Sequence, residues 1–200
     1  MHRIAVLASV DVVAAVTTDD LWRPTPCAGW NLADLLAHMT VQHRGFAAAA
    51  VGRGADPAVW EPASVADAVA SGPVATYSAA AADVIDAFAG ADVLEATFVL
   101  PEFGPGATFP GSVAMSFHFL DYVVHGWDVA RTLGHPFELP ADVVAAVLPI
   151  AFVVPEGDFR TAANPFFGPA VPATDPVDDL GRVLAYLGRS PEWAPSAGTV

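Results

Sequence analysis

Residues 117–132, with the sequence FHFLDYVVHGWDVART, contain a carboxylate and two imidazoles at helical spacing. Asp121 and His125 are four residues apart, so on a helix they project from one face about one turn apart. His118 precedes His125 by seven residues and falls near the same face. Such a pair can bind one divalent metal ion together with a third residue from elsewhere. It can equally form a hydrogen bond within the core, and the short, common spacing alone favours this second interpretation.

A further histidine, His38, lies in the segment 23–39, RPTPCAGWNLADLLAHM. The prolines keep the chain extended up to Asn31, which is a favourable helix N-cap. Leucines then recur at helical spacing, which predicts a helix to about residue 50 with His38 on its inner side. His43 falls off that face, and we expect it at the surface.

Other segments also have helix or hairpin patterns. The predicted elements are a deeply packed helix over 4–16, a helix over 64–89 broken at Gly72-Pro73, a hairpin or wrapped loop over 96–110, the helix with Asp121 over 111–134, a helix over 139–154 bent or ended at Pro149, and a last helix over 177–187. The prolyl segment 155–176 is expected to wrap the body. Together they predict an all-α fold, a four-helix bundle with short C-terminal helices and a small hairpin. Such bundles build metal sites between facing helices.

Composition limits the class of protein. With 54% hydrophobic and 15% charged residues, the 200 residues fit a folded globular domain. A net charge of −14 without any basic cluster argues against nucleic acid and anionic membranes as partners. The single cysteine, Cys27, excludes an intramolecular disulfide and fits a reducing interior. Asp11 interrupts the apolar N-terminus and the apolar run 143–154 is too short to span a bilayer, so we expect a cytoplasmic protein.

Residues near the histidines have two interpretations each. Asp128 either orients an imidazole of the same helix or faces solvent. Trp30 and Trp127 are predicted to be core or pocket wall. Cys27 is either a reactive thiol or, as its shortage of basic neighbours favours, a small packed residue. The scarce arginines are expected mainly to pair with acids, although one could bind an anionic substrate: Arg131, Arg160, Arg182 and Arg189.

Three stretches of the chain resemble the DinB-like metal-binding superfamily. More closely, they resemble its actinobacterial branch related to the metal-binding domain of mycothiol-dependent maleylpyruvate isomerase. The stretches are 23–39, 121–134 (DYVVHGWDVARTLG) and 167–193 (FGPAVPATDPVDDLGRVLAYLGRSPEW). The resemblance makes the metal interpretation the favoured one. It implies a four-helix metal-binding bundle over 1–137 and a helical and prolyl extension over 138–200 packed on the same domain.

The resemblance also implies one divalent metal ion held by His38, Asp121 and His125. Where this chain has Asp121, many superfamily members have histidine and the isomerase branch has glutamate. The shorter aspartate would bring the metal closer to its helix or bind it through one oxygen. His118 could replace Asp121 if that carboxylate only supports another ligand. Zinc suits this donor set best, with nickel, iron and manganese as alternatives.

Three protein ligands leave a coordination position open, which is typical of catalytic zinc sites. The function that the resemblance implies is a metal-dependent transferase or isomerase that acts on a small molecule with a low-molecular-weight thiol, mycothiol, as co-substrate. One alternative is a non-catalytic metal- or ligand-binding bundle, and another is a structural bundle in which the three residues form a buried hydrogen-bonded cluster. The sequence assigns no catalytic residue, and a homodimer is compatible with such bundles.

Overall fold

The computed structural model describes residues 1–161, 167–173 and 178–195. Its helices are α1 His2–Val13, α2 Leu32–Ala50, α3 Ala66–Ser71, α4 Pro73–Phe88, α5 Gly111–Leu133, α6 Ala141–Phe152, α7 Asp158–Thr161 and α8 Asp179–Tyr186. Strands β1 Thr97–Val99 and β2 Thr108–Pro110 form an antiparallel hairpin, in which Phe98 pairs with Phe109. The prediction of a mainly helical bundle is confirmed, and the segment 96–110 is the hairpin rather than the wrapped loop.

The two helices that carry the candidate ligands have well-defined ends. Before α2, Asn31 Oδ1 accepts a hydrogen bond from the Asp34 amide at 3.0 Å, and Asp34 Oδ2 accepts one from the Asn31 amide at 3.1 Å. This reciprocal cap satisfies two backbone amides at the start of the helix. Helix α5 ends at Gly134, whose φ of +73° is the left-handed conformation that glycine adopts without strain.

Four helices pack in a closed ring, in which α1 and α2 each contact both α4 and α5. Gly126 allows the close approach of α1 to α5, because a Cβ there would lie 2.7 Å from the Phe137 ring and 3.3 Å from Ser9 Cβ. The sequence predicted that α1 is packed deeply on all sides, and this prediction is wrong. Ile4 is 40% and Leu7 37% exposed, because only one face of α1 meets the other helices.

Helices α6 and α8 pack against each other, and α6 also contacts α5. The interpretation that Pro149 ends its helix is wrong, because α6 continues to Phe152. Pro149 removes the hydrogen bond that its amide would donate to the Ala145 carbonyl, but the residues after it can still continue the helix to its end. The predicted wrapping segment 155–176 and the start of the last predicted helix fall partly on residues 162–166 and 174–177, outside the described residues. The division of the chain at residue 137 stays a prediction.

No helix in the described parts of the chain is both long and apolar enough to cross a membrane.

Candidate metal centre

Three side chains from two helices meet at one point of the bundle. His38 comes from α2, and Asp121 and His125 come from α5. One donor atom from each residue lies within 4.8 Å of the other two. His125 Nε2 is 3.3 Å from Asp121 Oδ1, and His38 Nε2 is 4.0 Å from Asp121 Oδ2. These three residues, called here the metal-site group, have the convergence of donor atoms that a single ion requires.

The second nitrogen of His125 has a fixed partner. Asp128 Oδ2 lies 2.9 Å from His125 Nδ1, and Arg189 Nη2 donates to the same carboxylate oxygen at 3.1 Å. Because an ionised carboxylate can only accept, Nδ1 carries the proton and Nε2 is directed towards Asp121. Asp128 is completely buried, so its solvent-facing interpretation is wrong. It orients the imidazole instead.

The protonation states of the group follow from its surroundings. Burial lowers the pKa of His38 to about 4, which keeps this imidazole neutral, the form that binds a metal. Burial opposes ionisation of Asp121, but His125 outweighs it and holds the pKa of that carboxyl below its ordinary value. Burial also lowers the pKa of His125, but Asp121 and Asp128 together raise it to about 9. Metal binding at Nε2 therefore requires loss of a proton from His125.

One oxygen of Asp121 tests whether a metal fits. Asp121 Oδ2 is inaccessible to solvent and has no hydrogen-bond partner among the described residues. A buried carboxylate oxygen without a partner is costly, and a cation at this point would supply the missing interaction. Two imidazoles and one carboxylate are also a donor set that suits zinc and other divalent transition metals. The residues present therefore fit the metal that the resemblance implies.

A pocket of about 930 Å³ lies beside the metal-site group, and all three of its residues line it. Trp30 forms part of the wall, with its ring centroid 4.9 Å from that of His38 and 6.5 Å from that of His125. The remaining wall is mainly apolar and includes Phe46, Phe117, Leu120, Ile150 and Phe167. The prediction of Trp30 as pocket wall or core is confirmed. Trp127 is a buried core residue, which is also as predicted.

The structure does not bring His118 to the metal-site group. Seven residues advance a helix by about 10 Å, so His118 and His125 share a side of α5 but are too far apart for one ion. His118 Nδ1 lies 2.8 Å from His2 Nε2, and its Nε2 lies 3.2 Å from His43 Nδ1. His2, His43 and His118 are called here the buried imidazole group. They contact one another rather than the candidate metal.

The prediction that His43 lies at the surface is wrong. His43 is completely buried, and its ring stacks on Tyr122 with a centroid distance of 3.9 Å. Helix α2 lies between α4 and α5, so the side opposite one buried face is also covered. Most positions of α2 are therefore covered, including that of His43, although Asp34 and Arg44 stay exposed.

Arg189 is a basic neighbour of Cys27 that the sequence did not indicate. Its Nη2 lies 3.6 Å from Cys27 Sγ. Burial raises the pKa of Cys27 to about 11 even though Arg189 opposes this shift. The thiol is therefore protonated at neutral pH, which agrees with the interpretation of Cys27 as a packed residue.

The other arginines do not all pair with acids. Arg182 Nη1 donates to Asp179 Oδ1 at 2.7 Å, as predicted. Arg160 instead donates to several backbone carbonyls, and Arg131 Nη2 donates to the Pro191 carbonyl at 3.0 Å. For these two side chains the predicted ion pairs are absent from the described part of the chain.

Comparison with known proteins decides the family. The family model of the mycothiol maleylpyruvate isomerase N-terminal domain matches residues 2–130. The chain belongs to this family. A similar member is an uncharacterized protein of Mycobacterium tuberculosis, found in strains CDC 1551 / Oshkosh and H37Rv. It is 31% identical over 191 residues, which cover 94% of this chain and 96% of the relative.

The fold of this family member is that of a solved isomerase. The crystal structure of the mycothiol-dependent maleylpyruvate isomerase has a TM-score of 0.55 at 15% identity and covers 74% of this chain. A histidine-to-alanine variant of that enzyme has a TM-score of 0.57 at the same identity and coverage. The match includes 64% of the isomerase chain. The resemblance seen in the sequence is therefore confirmed for family and fold.

Proposed function

We propose that this protein binds one divalent metal ion through His38, Asp121 and His125 and acts with a low-molecular-weight thiol of the mycothiol type. The reaction would be a transfer or isomerisation on a small molecule. One observation carries this proposal: three donor atoms converge within 4.8 Å beside a pocket of about 930 Å³. Zinc suits the donor set best, and nickel, iron and manganese remain alternatives.

A metal ion bound here would supply positive charge that lowers the pKa of a coordinated thiol and favours the nucleophilic thiolate. The protein's own residues prepare the position. Asp128 and Arg189 keep the His125 ring in one orientation, since both are almost completely buried and joined at 3.1 Å. Trp30 packs against the imidazoles and excludes water from that side of the site.

The membership of a mycothiol isomerase family supports the choice of thiol. The solved isomerase is named as mycothiol-dependent, and its fold covers 74% of this chain. The pocket has room for a small molecule next to an open coordination position. The alternative is a non-catalytic metal-binding protein, since the sequence assigned no catalytic residue.

Cobalt(II) substitution tests the proposal, since a thiolate on cobalt has a charge-transfer absorption band in the near ultraviolet. We expect wild type to bind about one equivalent of cobalt and to develop this band when thiol is added. His125→Ala should bind no cobalt, whereas the exposed His135→Ala is a matched control that should behave as wild type. Cobalt binding without the thiol band would favour the non-catalytic alternative, and absence of cobalt would refute both.

A further inference from the structure

The pocket beside the metal-site group has no arginine or lysine side chain in its wall. The sequence contains eight basic residues, all of them arginine. Each of these arginines belongs to the described residues, and none lines the pocket. Residues 162–166, 174–177 and 196–200 include no arginine or lysine, so they cannot add one. The wall therefore offers no arginine or lysine to an anionic substrate, and the positive charge of its His125 is matched by Asp121, whose Oδ1 lies 3.3 Å from His125 Nε2.

The arginine beside the site is already engaged. Arg189 is 5% exposed and donates to Asp128 and to the Leu187 carbonyl. It does not line the pocket itself but contacts two wall residues, with Nη2 3.6 Å from Cys27 Sγ and Cζ 5.8 Å from the centroid of the Phe167 ring. To bind a substrate carboxylate, Arg189 would have to leave the buried Asp128 with only its hydrogen bond from His125 Nδ1, and the loss of the buried ion pair is strongly unfavourable. Arg160, 2% exposed, is likewise held by backbone carbonyls.

The polar groups of the wall do not favour an anion either. Two of them, Glu102 and Asp121, are acidic. Gln42 Nε2 donates to Glu102 Oε2 at 3.1 Å, and Ser116 Oγ donates to the Val113 carbonyl at 2.7 Å. A carboxylate placed in this pocket would lose its hydration and meet acidic groups and apolar carbon.

The charge of a bound metal does not change this conclusion. Two neutral imidazoles and one carboxylate leave a divalent ion with one net positive charge. A single thiolate would match that charge, and a second anion would find no partner. We propose that the small molecule bound in this pocket beside the thiol is uncharged and largely apolar, and is not a dicarboxylate. This inference rests on the proposed function, because it concerns the same site.

Two dyes with the same ring system provide the test. N-phenyl-1-naphthylamine is neutral, and 1-anilinonaphthalene-8-sulfonate differs from it by one sulfonate. In protein loaded with metal and saturated with the thiol, we expect the neutral dye to bind with a stoichiometry of one per chain and at least about tenfold more tightly than the sulfonate. The thiolate then matches the charge of the metal, and no arginine or lysine of the wall compensates the sulfonate's lost hydration. Equal or tighter binding of the sulfonate, or no binding of either dye, would overturn the proposal.

Variants of the wall show whether the dyes occupy this pocket. Ile150 is a partly exposed wall residue on α6, so Ile150→Arg places a cation there, and Ile150→Met is its uncharged control. We expect the arginine variant to reduce the preference for the neutral dye to about threefold or less and the methionine variant to keep it. Ser116→Trp should occupy part of the pocket and weaken binding of the neutral dye at least about tenfold. Unchanged binding in that variant would place the dye elsewhere and contradict the proposal.

The same titrations separate this inference from the proposed function. They are made on metal-loaded and chelator-treated wild type and on His38→Ala, with metal content measured in each sample. Preference for the neutral dye in all samples, with no metal in any, would refute the metal proposal and leave the inference standing. Full metal content together with preference for the sulfonate would refute the inference alone.

Discussion

Helix α5 contributes to two groups of titratable side chains that differ in almost every property. The metal-site group combines two imidazoles with Asp121 and opens to a pocket. The buried imidazole group combines three imidazoles, and its members contact aromatic rings instead of acids. The ring of His118 stacks on Tyr122 with a centroid distance of 4.2 Å and meets Phe46 edge-on at 4.9 Å.

Charge explains why the groups behave differently. In the metal-site group, the pKa of His125 is raised to about 9 because two carboxylates outweigh burial. In the buried imidazole group, burial lowers the pKa of His2 to about 4 and that of His43 and His118 well below the ordinary value. Among the described residues, each group contains one buried side-chain atom that has no hydrogen-bond partner, Asp121 Oδ2 in the first and His43 Nε2 in the second.

The comparison teaches that a count of histidines does not identify a metal site. Three imidazoles in contact need no ion to hold them together, because His118 uses both ring nitrogens in hydrogen bonds to its neighbours. A carboxylate with a free oxygen, convergent donor atoms and access from a pocket are what distinguish the other group. Substitutions in or beside the metal-site group should therefore lower metal content, whereas substitutions in the buried imidazole group should affect stability alone.

The largest combined effect on unfolding free energy and metal affinity should come from Asp128→Asn. The substitution leaves the charge of Arg189 unpaired in the core, which we expect to cost about 3–5 kcal/mol of unfolding free energy. It also replaces the charged acceptor that orients His125 by an amide, which has a single acceptor oxygen for both His125 and Arg189, so metal affinity should fall by about 10–100-fold. Urea denaturation and competitive metal titration measure the two effects. Asp179→Asn, at an exposed ion pair, is the control and should change neither. Wild-type metal affinity in Asp128→Asn would exclude its orienting role.

A substitution in the buried imidazole group should affect stability alone. His118→Phe keeps a planar ring but removes the hydrogen bonds to His2 and His43, which we expect to cost about 1–3 kcal/mol of unfolding free energy. Metal content, measured by plasma mass spectrometry, should stay at the wild-type level. His135→Phe, at an exposed position, serves as the control for stability. Loss of metal from folded His118→Phe would break the distinction between the two groups.

Acid should destabilise the protein through the buried imidazole group. The folded-state pKa of His2 is about 4, below its ordinary value of 6.5, so between these pH values the unfolded chain binds more protons than the folded one. Stability is therefore full above pH 6.5 and falls as the pH decreases towards 4. For His2 alone the loss is on the order of 3 kcal/mol, and His43 and His118 act in the same direction.

Urea titrations from pH 7.5 to 4.5 should show the stability deficit of His118→Phe shrinking as the pH falls. A deficit that is constant with pH would contradict this assignment.

The smallest effect should come from Cys27→Ala. Burial keeps this thiol protonated, and its described partner is Arg189 at 3.6 Å, a weak contact. We expect a loss of less than about 1 kcal/mol in unfolding free energy and unchanged metal content. Metal content and urea midpoints measure both, with Cys27→Ser as a second variant. A drop in metal content would make Cys27 a participant in the site instead of a packed residue.

Much of the fold could be predicted because local signals coincide with the packing. Asn31 and Gly134 mark the helix ends at which the structure places them. Gly72-Pro73 separates α3 from α4 as expected. Helix α1 was predicted too deep in the bundle, because apolar residues such as Ile4 are common on protein surfaces and do not prove burial.

The candidate site was predictable only in its local part. The spacing of Asp121 and His125 places them on one face, and resemblance added His38. The contact of Arg189 with Asp128 spans 61 residues, and no local pattern indicates such a distant pair. The one sequence feature that pointed to Arg189 was that arginines are scarce in this chain and that this one lies in the stretch 167–193, which resembles the family.

Metal content of untagged protein by plasma mass spectrometry tests the central claim most directly. Wild type, His38→Ala, His125→Ala, His118→Phe and the exposed control His135→Ala are compared after growth with zinc and after incubation with zinc or nickel. We predict about one metal ion per chain in wild type, His118→Phe and His135→Ala, and less than about one tenth of that in His38→Ala and His125→Ala. Metal-free wild type after incubation, or full metal content in folded His38→Ala and His125→Ala, would contradict the account.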